Sequence, residues 1–272
     1  MTCGDWLATT TGLRRALVHA ENSMDSGFYA ACTALLARSQ ALDSVANNLA
    51  NVSTPGYRAG HNVFRSLLAT SSFFPISNLN YAVNNYSVLG GNEIDLSQGN
   101  LDRTGNDLDF GIQGAGFFVV QTGSGNVFTR NGNFHVSAKG QLVTADGDLV
   151  IGDNGRPIPI VGAPVSVSSD GTISVNGALA GKLKIVNFLP GTPIESLGKT
   201  YYSAPEQSAI PAPQASIQQG TLEASNVNPV ASAVELVTVQ RYAELMQRAL
   251  SLFHTDMNQV AAQELPKVSN NS

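Results

Sequence analysis

Eight apolar residues near the C-terminal end set the strongest constraint on this chain. Leu236, Val239, Ala243, Met246, Leu250, Phe253, Met257 and Val260 are spaced 3, 4, 3, 4, 3, 4, 3. That spacing is a heptad seam sustained over more than three repeats, and only a long helix lines such residues on one face. Asn226-Val-Asn-Pro229 precedes it, which places Asn228 as the N-cap and Pro229 at the first helical position. A helix over residues 229–262 is a rod of roughly 50 Å, and it cannot bury its own stripe. The stripe could pack on the chain's own body, but its length and narrowness favour a partner helix.

The other end of the chain offers that partner. A helix is predicted from about Ser26 to Asn51, with Phe28, Leu35, Leu42 and Leu49 seven residues apart. Ala31, Val45 and Val52 fill the alternate seam, and Arg38 interrupts it. Ala30, Ala31, Ala34, Ala37, Ala41 and Ala46 favour helix and permit close approach of a second one. Thr54-Pro55-Gly56 stops the helix. The expectation is that the two terminal helices form a coiled coil.

Between them, residues 93–203 read as all-β. Phe117-Phe-Val-Val120, Gln141-Leu-Val-Thr144, Leu149-Val-Ile151 and Leu183-Lys-Ile-Val186 are short apolar runs. Glycine turns punctuate them at Asn131-Gly132, Lys139-Gly140, Asp146-Gly147, Asn154-Gly155, Asp170-Gly171 and Asn176-Gly177. Asn-Gly and Asp-Gly supply the positive φ angles of tight hairpins, so the sheet is antiparallel. The fold class is α+β: terminal helices around a central, hairpin-rich β domain. Residues 70–92 read as an irregular connector, and Pro205, Pro211 and Pro213 mark a return strand or linker over 204–216.

Chemistry is scarce. His19, His61, His135 and His254 are scattered without metal-ligand spacing, and Cys3 and Cys32 are the only cysteines. Gly111, Gly114 and Gly116 have the outline of a phosphate loop but precede a strand and lack its Lys-Ser/Thr sequel, so they read as a backbone turn. Asp107 and Asp109 sit in a polar turn, and Asp146-Gly-Asp148 reads as a hairpin. No serine or cysteine stands in a nucleophile motif. The expectation is a protein that is not an enzyme and has no catalytic, cofactor-binding or metal residues. A net charge of −5 argues against nucleic acid as a partner. No apolar run approaches the roughly 20 residues needed to span a bilayer. Charged residues are only 13 % of the chain, which suits a surface buried against neighbours.

One segment is specific. Ala46-Asn-Asn-Leu-Ala-Asn51-Val-Ser-Thr54-Pro-Gly56-Tyr57-Arg58 resembles the N-terminal signature of bacterial flagellar rod and hook proteins. Buried Asn side chains need partners, so Asn47, Asn48 and Asn51 are expected to fix the helix end against neighbouring backbone. Leu108 to Val120 resembles that family's central strand, and Phe128 to Phe134 followed by Gly140 to Gly152 its hairpins. Glu223-Ala-Ser225-Asn226-Val227-Asn228, with Glu235-Leu236 and Gln240-Arg241, resembles its C-terminal signature. Tyr242 stands one residue earlier than the family's usual aromatic, and Met246 stands where Asn is frequent.

The resemblance implies a structural subunit of the basal-body rod that polymerises through its terminal helices. The Arg130-to-Asn133 hairpin and the Val150-Ile-Gly152 and Pro157-Ile158 continuation point to the proximal rod, with the distal rod as the alternative. The compact middle excludes the long insertions of hook subunits. The resemblance further implies partners among copies of itself and other rod subunits, and passage through the flagellar export apparatus without a cleavable signal peptide. Its family-motif residues would be Asn47, Asn48, Asn51, Thr54, Gly56, Tyr57, Asn226, Val227, Gln240 and Arg241. The domain division expected is 1–23 as an extension or misassigned start before Met24, 24–71 as helix and turn, 72–216 as the outer β domain, and 217–272 as the returning helix. The rival reading is a periplasmic glycan-binding or hydrolytic β domain with helical oligomerisation tails.

Overall fold

A strand that is apolar at every position must be covered on both faces, and Phe117-Phe-Val-Val120 is such a run. The computed structural model describes residues 35–65, 88–198 and 200–264. Helix α1 occupies residues 35–50. The strands that follow are β1 (Gly60–Arg65), β2 (Val88–Ile94), β3 (Leu101–Arg103), β4 (Phe110–Gln113), β5 (Phe117–Thr122) and β6 (Gly125–Thr129). Next come β7 (Phe134–Val136), β8 (Leu142–Thr144), β9 (Leu149–Val150), β10 (Val165–Val167), β11 (Thr172–Val175) and β12 (Ala178–Lys182). The last strands are β13 (Ile185–Phe188), β14 (Glu195–Ser196), β15 (Tyr201–Ser203), β16 (Ala209–Pro211), β17 (Ser216–Gln219) and β18 (Thr221–Glu223), before helix α2 (Pro229–Glu264).

The largest sheet runs β14-β15-β6-β5-β9-β8-β7, with β13 joining β5 to β16. Its ladders are antiparallel. The strand β5 sits in its middle and separates two cores. Phe118 packs with Phe110, Phe134, Leu142, Val150 and Ile173. Phe117 and Val119 turn to the other side and pack with Phe128, Ile151, Val186, Phe188 and Tyr202. Rings meet edge to face at 5.1 Å for Phe118–Phe134 and 4.9 Å for Phe128–Phe188. Each such side chain stabilises the fold by about 1.5–3 kcal/mol.

Most glycine turns close hairpins. Asn176 and Gly177 both have positive φ, 52° and 77°, which is the two-residue turn joining β11 to β12. Gly140, Gly147, Gly155 and Gly171 also take positive φ. Asn131-Gly132 is the exception, and that expectation is corrected. Gly132 is there for contact, because a Cβ on it would lie 1.8 Å from the Phe110 carbonyl oxygen. The expected connector also needs correction, since residues 88–92 form most of β2, which pairs with β1. Residues 70–87 lie outside the described residues.

The chain divides into two compact units. One comprises residues 44–61 and 92–233 and contains both cores. The other includes the described residues 35–43 of α1 and 234–264 of α2. Within it the helices touch where the Arg38 guanidinium lies over the Tyr242 ring, 5.4 Å from its centre. Arg38 is exposed on the line where Ala41, Val45 and Asn48 are buried, so it breaks that line as its place in the alternate seam implied. Its long side chain leaves the seam and reaches the neighbouring aromatic face.

Candidate functional site

The α2 start is set by Asn228. Its carboxamide oxygen accepts from the backbone N–H groups of Val230 and Ala231, both at 3.1 Å, and Pro229 follows at the first helical position, where a missing N–H costs no intrahelical bond. Along α2, Leu236, Val239, Ala243, Met246 and Leu250 are buried or half-buried, while the residues between them, apart from Ala249, are exposed. Side chains of Phe253, Met257 and Val260 lie outside the described residues. Gln240 and Arg241 are exposed.

On α1 the buried positions are Ala41, Val45 and Asn48. Leu35, Leu42 and Leu49 are half-buried and flank that line. Phe28 lies outside the described residues. Alanine at the centre with leucines beside it lets the backbone approach its neighbour closely. Asn48 adds a second cause. Its side-chain amide donates to the Gly60 carbonyl at 2.9 Å and accepts from the Gly60 N–H at 3.0 Å. The Tyr57 hydroxyl donates to the same Asn48 oxygen at 3.0 Å. A carboxamide carries its donor and its acceptor on separate atoms, so it can serve the carbonyl and the N–H of one backbone residue at once.

The other motif residues divide by role. Thr54 donates to the Asn51 carboxamide oxygen at 3.2 Å, and Asn51 donates to the Asn47 carbonyl at 2.9 Å, so these close the helix end locally. Asn47 itself is exposed, so of the three asparagines only Asn48 is buried. Gly56 has φ +72°, and a Cβ there would sit 2.2 Å from the Asn131 nitrogen. Tyr57, Ala59 and Val227 form a small buried cluster. Asn226 accepts from the Ala59 N–H at 2.8 Å and donates to the carbonyls of Asp95 and Ser97 at 3.0 and 3.1 Å.

Beneath this cluster lies a buried ion triad for which the sequence alone predicts no role. Glu223 is 1 % exposed. Its carboxylate meets Arg58 at 2.8 Å and Arg130 at 2.9 Å, and accepts from the Gly99 N–H at 2.9 Å. Arg130 also donates to the Gly114 carbonyl at 2.7 Å and stacks over Phe117. Arg58 donates to the Ser97 carbonyl, and its backbone N–H donates to the Tyr202 hydroxyl at 2.9 Å. Burial lowers the Arg130 pKa to about 10; the Glu223 charge opposes that shift and the Arg58 charge adds to it. Arg130 is still a cation at neutral pH, so one carboxylate holds two buried guanidiniums. One signal was available: in a chain with 13 % charged residues, Arg58, Arg130 and Glu223 all fall inside the motif segments.

Two expected results follow from this geometry. Asn48→Ala leaves the Gly60 N–H and the Tyr57 hydroxyl without their acceptor, while the Gly60 carbonyl keeps the Ser44 hydroxyl at 3.1 Å. The change is expected to cost roughly 1–3 kcal/mol in denaturant unfolding. Asn48→Asp, which cannot donate to the Gly60 carbonyl, should cost no less. The second concerns alkali. Burial raises the pKa of Tyr57, Tyr201 and Tyr202, with Arg58 opposing the shift at Tyr202 and Asp148 adding to it at Tyr201. The unfolded chain then loses these protons first, so stability is full below about pH 10 and declines above it. A denaturant midpoint that stays level between about pH 9 and about pH 11 would refute this.

Among the described residues, no group of three or more His, Cys, Asp and Glu is placed to hold a metal. No described helix is long and apolar enough to cross a membrane. Asp109 is buried and accepts from Asn106 and Asn133 at 3.2 and 2.8 Å, a structural role between segments.

Three families match along the chain. The flagella basal body rod protein family matches residues 28–58, the flagellar hook protein FlgE/F/G D1 domain residues 111–175, and the flagellar basal body rod FlgEFG protein C-terminal family residues 218–263. The Salmonella typhimurium flagellar basal-body rod protein FlgF is 33 % identical over 265 residues, covering 90 % of this chain and all of that protein. The chain belongs to the flagellar basal-body rod protein family. The Mesorhizobium japonicum FlgF is 33 % identical over 226 residues, spanning 81 % of this chain and 90 % of the relative. A Buchnera aphidicola FlgG is 32 % identical over 246 residues, spanning 80 % and 92 %. In this rod protein each matched segment supplies one member of the ion triad: Arg58 from the first, Arg130 from the second and Glu223 from the third. The triad therefore joins the segments that lead out of α1 and into α2 to the β region.

Proposed function

We propose that this structural subunit of the flagellar basal-body rod belongs to its proximal section and assembles through its terminal helices. In this reading, residues 24–71 and 217–272 pair as a coiled coil forming the inner layer of a tube, and residues 72–216 face outward. Its partners are copies of itself and other rod subunits, and it reaches them through the flagellar export apparatus. The observation that carries the reading is the α2 stripe of Leu236, Val239, Ala243, Met246 and Leu250, set on a helix of 36 residues. Burying such a stripe is worth about 1.5–3 kcal/mol per large side chain, enough to drive assembly of helices that are marginal alone.

Relatives named FlgF and FlgG match to similar extents, so the section of the rod needs its own test. Electron microscopy of hook–basal bodies from a strain lacking this gene is expected to show arrest at the inner rod, with no hook. A proximal rod of full length with the distal rod missing would move the subunit outward. Complete basal bodies would overturn the role.

A further inference from the structure

Helix α2 has a second apolar face. Val234, Val237, Leu245 and Leu252 are 63 %, 50 %, 57 % and 65 % exposed. At 3.6 residues per turn they fall roughly opposite the stripe of Leu236, Val239, Ala243, Met246 and Leu250. A helix that packs against its partner on one side has no use in water for an apolar stripe on the other. Arg241 and Arg248 lie on the same outer face, exposed and without an ion pair among the described residues, with Glu244 at its edge.

Helix α1 shows a face of matching character. Leu36, 60 % exposed, is followed at three and seven residues by Ser39 and Asp43, both exposed. Asp43 also lacks an ion pair among the described residues. One face offers valines, leucines and arginines; the other offers a leucine, a small hydroxyl and a carboxylate.

We propose that the outer face of α2, centred on Val237, Arg241 and Leu245, docks on the Leu36-Ser39-Asp43 face of α1 in a second copy of this chain. Asp43 of one copy then faces Arg241 of the other. This rests on the reading of the chain as a rod subunit and names the faces that polymerise. Because the two faces differ, the contact is heterologous and propagates into an open helical array instead of closing a dimer. The ion pair sits at the rim of an apolar contact and sets register more than affinity.

The test uses the full chain as the sole copy in a strain lacking the gene, with Cys3 and Cys32 changed to serine and Ser39→Cys and Leu245→Cys introduced. Hook–basal bodies purified after mild oxidation are expected to contain covalent dimers and longer ladders of this chain, absent from each single-cysteine variant. Basal bodies that contain the chain but show no ladder, or only cross-links to a different rod protein, overturn the docking and leave the rod role intact. Complete basal bodies that lack the chain overturn the rod role itself. Independently, Asp43→Arg alone and Arg241→Asp alone are expected to lose swimming, and the two together to recover it. Failure to recover, with export at the parental level, also overturns the pairing.

Discussion

Replacing Glu223 with alanine is expected to destabilise the β region by about 3–5 kcal/mol, the cost of leaving buried charge without its partner. Two guanidiniums would face each other across the vacated space, since Arg58 and Arg130 both lie within 2.9 Å of that carboxylate and are almost fully buried. The Gly99 N–H would also lose its acceptor. Glu223→Gln keeps the shape and one acceptor oxygen but removes the charge, so it should fall between alanine and the parent. Denaturant unfolding followed by tyrosine fluorescence reads both variants. A cost for Glu223→Ala below about 1 kcal/mol, the range of an exposed pair, would show that water reaches the triad. The comparison that isolates the charge is a triple change of Arg58, Glu223 and Arg130 to Met, Leu and Met. Buried ion networks replaced by packed apolar residues are often neutral or stabilising. The single change should therefore be far more damaging than the triple one.

Gly56→Ala is the second large effect. The glycine sits between the last turn of α1 and the segment bearing Tyr57 and Arg58, at φ +72°. An L-residue in that conformation costs on the order of 1–2 kcal/mol. The added methyl would also lie 2.2 Å from the Asn131 nitrogen, which is backbone and cannot swing aside. Overpacking of that kind costs about 1–3 kcal/mol more. A loss of about 3 kcal/mol is expected, with the Asn48–Gly60 bonds weakened in the same variant, because the chain must shift to admit the methyl. Slowed amide exchange at Gly60 in the parent, lost in Gly56→Ala at a stability still sufficient for folding, would locate the damage there. Unfolding curves that superimpose on the parent's would contradict the account of this turn.

How much of this was legible in the sequence depended on how local the cause was. The α2 stripe and its Asn228 cap follow from spacing within one segment, and the structure places Leu236, Val239, Ala243, Met246 and Leu250 on one low-exposure face. Hairpins at Asn176-Gly177 and Asp170-Gly171 follow from the positive φ those residues tolerate. At Asn131-Gly132 the same dipeptide misleads, because the glycine answers to the Phe110 backbone and not to a turn. On α1 the leucine repeat points to Leu35, Leu42 and Leu49 and the alternate seam to Val45; Val45 is buried together with Ala41 and Asn48, and the leucines are half-buried beside them. The shift away from the leucines comes from Asn48, whose bonds to Gly60 are made with the chain beyond the helix. The ion triad was least legible. Arg58, Arg130 and Glu223 are brought together only by the fold, and no period or motif spacing relates them.

The most direct test of the central claim is cryo-electron microscopy of hook–basal bodies at a resolution that traces side chains in the proximal rod. The account predicts α1 and α2 of this subunit paired in the innermost layer, with Leu236, Val239, Met246 and Leu250 buried between helices and the β region outside them. Density that places the terminal helices on the outer surface, or leaves that stripe facing an open channel, would contradict it.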